Sequence, residues 1–264
     1  MILWAVVPAK DPAQAKSRLA GVFTPEQRRV LSLRLLERTL LVLRQVPAVL
    51  HCVVISAADE PLALAQRLGA QALHEGEHPV RTAIGSRSAP AGEVHGRTAP
   101  PVGGQLGHAS GAEEPMLNAA LYQAAASAAG QGADAILVLP ADLPCLTPAA
   151  VAELIASVPA TPGVALAPDR RHSGTNALLV RPPLMMPFRF GTQSFERHRE
   201  TAARHGIPVA VCDHPAFALD LDTPDDVRAL AGQRHGELGA FSAEQLVGAV
   251  LSACDWPLVS GQCA

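Results

Sequence analysis

Lysine is nearly missing from this chain. Of 21 Lys and Arg residues, only Lys10 and Lys16 are lysines, and both stand near the start. Scarce lysine with abundant Ala, Arg and Pro fits a GC-rich coding sequence, but that bias does not explain why both survivors share one loop. Aromatic residues make up 3%, too few for the stacking platforms that hold single-stranded nucleic acid. The formal net charge of −3 leaves no basic footprint for nucleic acid or an anionic membrane. The five cysteines (Cys52, Cys145, Cys212, Cys254 and Cys263) are odd in number and never spaced C-x-x-C. This argues against a structural zinc site or disulfide framework, and a reduced, cytoplasmic chain is expected. No run approaches the roughly 20 apolar residues of a membrane helix. The apolar opening, residues 1–7, is too short for a secretory signal and lacks its basic leader. P-loop, dinucleotide-binding and nucleophile-elbow motifs are missing, and no histidine spacing suits zinc.

What remains is a strongly patterned globular sequence. Hydrophobic residues reach 48% and mean hydropathy is +0.18, so 264 residues can bury a large core. Residues 2–7 read as a buried strand. Thr24, Pro25 and Gln27 then stand at the N-cap, N1 and N3 of a helix carrying Leu31, Leu35, Leu36 and Leu40 at helical spacing. HCVVIS is a second strand, EPLALAQRLGA a short helix closed by Gly69, and QALHE a third strand. A helix over 116–129 precedes a strand over 135–139 that runs into Pro-Ala-Asp-Leu-Pro. Thr147 and Pro148 cap the next helix. GVALAP and NALLVRP are strands, SFERHRETAARHG a helix ended by Gly206, and PVAVC and FALDLD strands. Thr223 and Pro224 start a helix through about residue 231. Alternating strands and helices imply an α/β fold with a largely parallel sheet, whose ligands bind beyond the carboxyl ends of the strands.

Two segments stand apart. Residues 78–115 are rich in Gly, Pro, Ser and Ala without apolar periodicity. They bury too little to offset their ordering entropy, so a disordered insertion is expected, a lid being the other reading. Residues 232–264 form an extension with one weak helix over 242–253. The expected domain is therefore 1–231, interrupted at 78–115.

The residues that follow strands are the ones to inspect. Asp142, between two prolines after an apolar strand, reads equally as a Mg²⁺ ligand or as a turn aspartate bonding its own backbone. Asp220 and Asp222 lie two apart on an expected strand, so they share a face and invite a cation. Asp225 and Asp226 fall in the first turn of a helix, where the macrodipole favours them. In PDRRHSGTNALL, the Gly-Thr-Asn turn suits an anion. Arg170 and Arg171 read as a phosphate clamp or as ordinary surface residues. In FRFGTQSFERH, Gly191 to Ser194 opens a helix, which is either a phosphate site or plain N-capping by Ser194. His172, His198 and His205 read as surface or capping residues. Lys10, Lys16 and Arg18 place three cations at the mouth of the sheet, opposite the later carboxylates. A metal–triphosphate would bridge them.

The ordered strings VPAK…AKSRLAG, LNAAL, LPADLPCLTP, APDRRHSGTNALL, FRFGTQSFERH and LDLDTPDDV resemble the 2-phospho-L-lactate (phosphoenolpyruvate) guanylyltransferase family of coenzyme F-420 biosynthesis. The resemblance runs over residues 2–230 apart from the insertion. It implies a Rossmann-like nucleotidyltransferase fold, similar to nucleotide-diphospho-sugar transferases, with a mostly parallel mixed sheet. It also implies Mg²⁺-dependent transfer of GMP from GTP to 2-phospho-L-lactate, phosphoenolpyruvate or 3-phosphoglycerate, with pyrophosphate leaving. Asp142, Asp220 and Asp222 match the family's metal-binding carboxylates. Thr175, Gly191 and Ser194 match the positions that hold the acid's phosphate. Lys16 and Arg18 match the loop that meets GTP, with Lys10 beside them, and the stretch around Leu117 and Asn118 is the candidate for reading guanine. Met116 and Ser173 depart from the family by standing where glycine is usual. Another nucleotidyltransferase, acting on a sugar phosphate or molybdenum cofactor, is the first alternative. A non-catalytic nucleotide-binding scaffold is the second.

Overall fold

The computed structural model describes residues 1–76 and 113–235. The expectations for 78–112 and for a helix over 242–253 lie outside the described residues.

Seven strands form one sheet: β1 (Leu3–Pro8), β2 (Val49–Ser56), β3 (Gln71–His74), β4 (Ala135–Val138), β5 (Gly163–Pro168), β6 (Thr175–Arg181) and β7 (Val209–Val211). Their order is β3-β2-β1-β4-β6-β5-β7. β6 runs antiparallel to β4 and β5, and every other pairing is parallel. The helices are α1 (Pro25–Arg44), α2 (Asp59–Arg67), α3 (Glu113–Gly130), α4 (Pro148–Ser157), α5 (Ser194–Arg204), α6 (Pro215–Ala218) and α7 (Pro224–His235). The capping box at Thr24 and Gln27 forms as expected, and Thr147 caps α4 through the Ala150 amide. Among the described residues, no helix is long and apolar enough to cross a membrane.

The strands are apolar on both faces because both faces are covered. On one side, Leu36, Leu40 and Leu43 of α1 and Val151 and Leu154 of α4 pack on Leu3, Ala5, Val7 and Leu137. On the other, the alanine face of α3 (Ala120, Ala124, Ala125, Ala128) and Phe195 of α5 pack on Trp4, Val6, Ile136 and Val138. Each buried leucine contributes about 1.5–3 kcal/mol. A third cluster sits off the sheet: Leu19 and Phe23 from the loop after β1, Leu31 and Leu35 of α1, Leu219 and Leu221, and Val227 and Leu230 of α7.

Three expectations need correction. FALDLD is not a strand. Its first two residues belong to α6, and residues 219–222 pair with a turn instead of a sheet edge: the Leu221 N–H donates to the Asp142 carbonyl at 3.0 Å. Leu219 and Leu221 instead sink into the third cluster, which takes over the role of a sheet neighbour. The alternation that suggested a strand is thus real, but its apolar side faces a satellite core. α3 begins at Glu113 rather than 116, since a proline is tolerated in the first turn, where no intrahelical N–H bond is lost. α7 continues to His235, four residues beyond the expected domain end.

Candidate active site

Lys16 is the hub of the sheet mouth. It has left-handed backbone (φ 57°) and opens a single 3-10 turn, Ser17–Leu19. The burial of Leu19 in the third cluster anchors that turn. The Lys16 ammonium donates to Asp142 Oδ2 at 2.9 Å and to Asp222 Oδ1 at 2.8 Å. Burial opposes the charge on Lys16, but Asp142 and Asp222 outweigh it and hold the ammonium pKa above the ordinary lysine value. Burial would raise the Asp222 pKa, yet Lys16, with Arg18 and Lys10, draws it down. Among the described residues, Asp220 has no such partner. Burial first, then the Asp142 and Asp222 charges, push its carboxyl up to about 6. The structure therefore gathers Lys10, Lys16, Arg18, Asp142, Asp220 and Asp222 in one electrostatic neighbourhood.

Asp226 holds this group in place. One of its oxygens accepts the Asp222 and Thr223 N–H groups at 3.1 and 2.7 Å and the Thr223 hydroxyl at 2.7 Å. The other accepts Arg170 Nη2 at 2.6 Å. Arg170 is thus spent on an internal carboxylate rather than clamping phosphate. Arg38 of α1 braces the Asp142 turn by donating to the Pro144 and Leu146 carbonyls at 2.9 Å each.

The second part of the site lies where β6 meets α5. The Thr175 N–H donates to Ser194 Oγ at 2.8 Å, and Thr175 Oγ1 lies 3.0 Å from His198 Nδ1. The Arg189 N–H donates to His198 Nε2 at 2.9 Å. His198 is fully buried, and burial, with Arg197 and Arg189 nearby, pushes its pKa down to about 3. Gln193, not Ser194, is the N-cap residue of α5, and the Ser194 hydroxyl faces Thr175. The simple capping reading of Ser194 therefore fails. Gly191 needs its lack of a side chain: its φ is 120°, and the Glu114 carboxylate occupies the space a Cβ would take. Glu114 also accepts the Thr192 N–H at 2.6 Å and Arg197 Nη1 at 3.2 Å, which hold its pKa below the usual carboxylate value.

Two expected anion or base contacts are already occupied. Asp169 accepts the Arg171 and Ser173 N–H groups and the Ser173 hydroxyl, so the turn before β6 satisfies itself. Asn118 exchanges two hydrogen bonds with the Phe190 backbone at 3.0 and 2.9 Å and donates to the Glu114 carbonyl at 2.7 Å. Its amide ties α3 to the 188–192 loop, so both ends of the side chain have protein partners here. Sequence reasoning missed His198, Asp226, Asp169 and Glu114 as parts of the site. A signal for the first was present: His198 lies four residues after Ser194, hence on the same helix face.

The groups that contact the Lys16 ammonium are the Asp142 and Asp222 carboxylates, and Mg²⁺ takes one or two carboxylates together with phosphate oxygens and water. Among the described residues, no three Asp, Glu, His or Cys side chains close into a metal cage by themselves. An open carboxylate pair with a third nearby fits Mg²⁺ delivered with a nucleotide better than a resident, fully caged metal.

A family model described as guanylyl transferase CofC like matches residues 109–245. The phosphoenolpyruvate guanylyltransferase of Rubrobacter xylanophilus is 37% identical over 230 residues, covering 87% of this chain and 94% of that protein. The chain belongs to the CofC-like guanylyl transferase family. A 3-phospho-D-glycerate guanylyltransferase of Colwellia psychrerythraea is 29% identical, covering 86% of this chain and 90% of its own. In structure, the chain is similar to a protein of Desulfovibrio desulfuricans G20 assigned as a nucleotide-diphospho-sugar transferase. The TM-score is 0.57 at 13% identity, over 96% of this chain and 97% of the other, which establishes a shared fold. The CofC-like chain is thus a nucleotidyltransferase in both fold and family.

Proposed function

We propose that the chain transfers GMP from GTP to the phosphate of a three-carbon acid in a Mg²⁺-dependent reaction. Phosphoenolpyruvate is the first acid to test, 2-phospho-L-lactate and 3-phosphoglycerate the next. The product would serve coenzyme F-420 biosynthesis. The observation that carries this reading is the meeting of Lys16, from the first β-loop, with Asp142 and Asp222 from later segments at one point of the sheet mouth.

The chemistry asks for positioning and charge neutralisation. An oxygen of the acid's phosphate forms a bond to the α-phosphorus of GTP, and the α–β P–O bond breaks to release pyrophosphate. The attacking oxygen is already anionic, so no strong general base is needed. Asp142, Asp222 and Asp220 would hold Mg²⁺, and when bound it supplies charge neutralisation between the two phosphates. Lys16 is the cation best placed to exchange a carboxylate for phosphate oxygens, and Lys10 and Arg18 add positive field for the leaving pyrophosphate. Thr175, Gly191 and Ser194 would seat the acid.

Purified protein is incubated with Mg²⁺ and GTP plus each acid in turn, and pyrophosphate release and product mass are followed. Release with one acid and a product of matching mass is expected, lost on chelation and restored by Mg²⁺. No release with any of the three acids, from folded protein that binds GTP, would overturn this reading.

A further inference from the structure

We infer that His198 is a positioning residue that sets the Thr175 hydroxyl to donate toward the acid's phosphate. The inference rests on the proposed reading of Thr175 as a phosphate contact. A backbone N–H can only donate, so the Arg189 amide, 2.9 Å from Nε2, fixes that ring nitrogen as an acceptor. A neutral imidazole whose Nε2 accepts carries its proton on Nδ1. Nδ1 faces Thr175 Oγ1 at 3.0 Å, so the threonine oxygen accepts.

A hydroxyl that accepts from the ring keeps its own proton for something else. Ser194 repeats the pattern, because its oxygen accepts the Thr175 N–H at 2.8 Å. No protein acceptor for either hydroxyl proton is present among the described residues. Thr175 and Ser194 are therefore two adjacent donors on a buried wall, at 5% and 2% exposure. A ligand group that only accepts, such as a phosphate oxygen, satisfies both. The ring stays neutral because it is buried beside Arg189 and Arg197, so the wiring does not reverse near neutral pH.

The ¹⁵N shifts of the His198 ring in the whole protein read the tautomer, and steady-state kinetics read its consequence. A protonated Nδ1 and a bare Nε2 are expected. His198→Phe, which keeps the ring volume, raises KM for the acid about tenfold, the scale of one hydrogen bond to a charged group. It leaves KM for GTP within about twofold. His198→Asn, whose amide can stand in for Nδ1–H, recovers most of the loss and serves as the milder change if the Phe variant folds poorly. In a Thr175→Val background, His198→Phe adds less than about twofold, because the contact it acts through is already gone. A proton on Nε2, equal rises in both KM values, or additive effects with Thr175→Val would sink the inference alone. A wild-type protein that releases no pyrophosphate with any acid would sink the guanylyltransferase reading, and the phosphate assigned here with it.

Discussion

Around Lys16, full charges meet within reach of water: the Asp142 and Asp222 side chains are 28% and 40% exposed. Around Thr175, neutral hydroxyls line a buried wall backed by a neutral imidazole, with His198 at 0%. The first arrangement can change partners, since each carboxylate stays partly solvated when Lys16 leaves it. The second holds its arrangement, because losing the Thr175–Ser194 or Arg189–His198 bond would leave a buried N–H unpaired at a cost of about 1–3 kcal/mol. Under the proposed function, the contrast matches two tasks. A triphosphate would arrive, be cut and leave in pieces, so its end would need exchangeable charge. A small acid would have to be seated in one orientation, so its end would need fixed donors.

The largest effect that would break the comparison is loss of charge at the open end. Asp142→Asn should lower kcat on the order of 10²–10³-fold while the protein still folds, since the group is partly solvated and the shape is kept. Unchanged turnover would remove Asp142 from the metal site. Next comes the support beneath that end. Leu221→Ala should cost roughly 2–5 kcal/mol in urea unfolding, as a fully buried leucine does. At matched folded fraction it should also lower kcat, since it loosens the segment between Asp220 and Asp222. A normal kcat would separate the satellite core from the chemistry.

The sealed end makes its own prediction in acid. The His198 pKa falls to about 3, below the unfolded value near 6.5. Between these values the unfolded chain binds the extra proton, so stability rises with pH. The contribution is complete above about pH 6.5 and declines by about 1.4 kcal/mol per unit as pH falls toward 3. His198→Asn lacks this slope, so the gap between its urea midpoint and that of wild type should narrow from pH 7 to pH 5. A constant gap would show that the ring is not held neutral by the fold. Smallest is Thr175→Val, which should raise KM for the acid about tenfold and leave KM for GTP unchanged. An equal effect on both substrates would erase the division between the two ends.

Much of this was legible in the residues. Short, continuous apolar runs marked the strands, and Thr-Pro pairs marked the starts of α1, α4 and α7. The charged end was legible because Lys10, Lys16, Asp142, Asp220 and Asp222 follow strands or sit in loops, where a charge needs a reason. The alternation in LDLD pointed both aspartates one way, although the leucines pack on α1 and α7 rather than under a sheet. The sealed end was harder to read. Its residues are neutral and common, and what matters is which group donates to which. His198 looks like any helical histidine until the Arg189 amide fixes its tautomer, and the motif FRFGTQSFERH does not show that this backbone turns back onto the ring. Asn118 is a similar case: its amide bonds the Phe190 backbone, and a motif does not show which backbone a side chain will meet.

The Lys16–Asp222 contact joins residues 206 apart in sequence. A chain leaving the ribosome N-terminus first carries Lys16 with neither carboxylate until β4 and then the 219–222 segment have emerged. The sheet mouth is therefore completed last, after most of the local helices and the β1–β2 pairing are available. Recovery of pyrophosphate release in a refolding sample should lag behind recovery of helical signal, and that lag times the arrival of the last segment at the first.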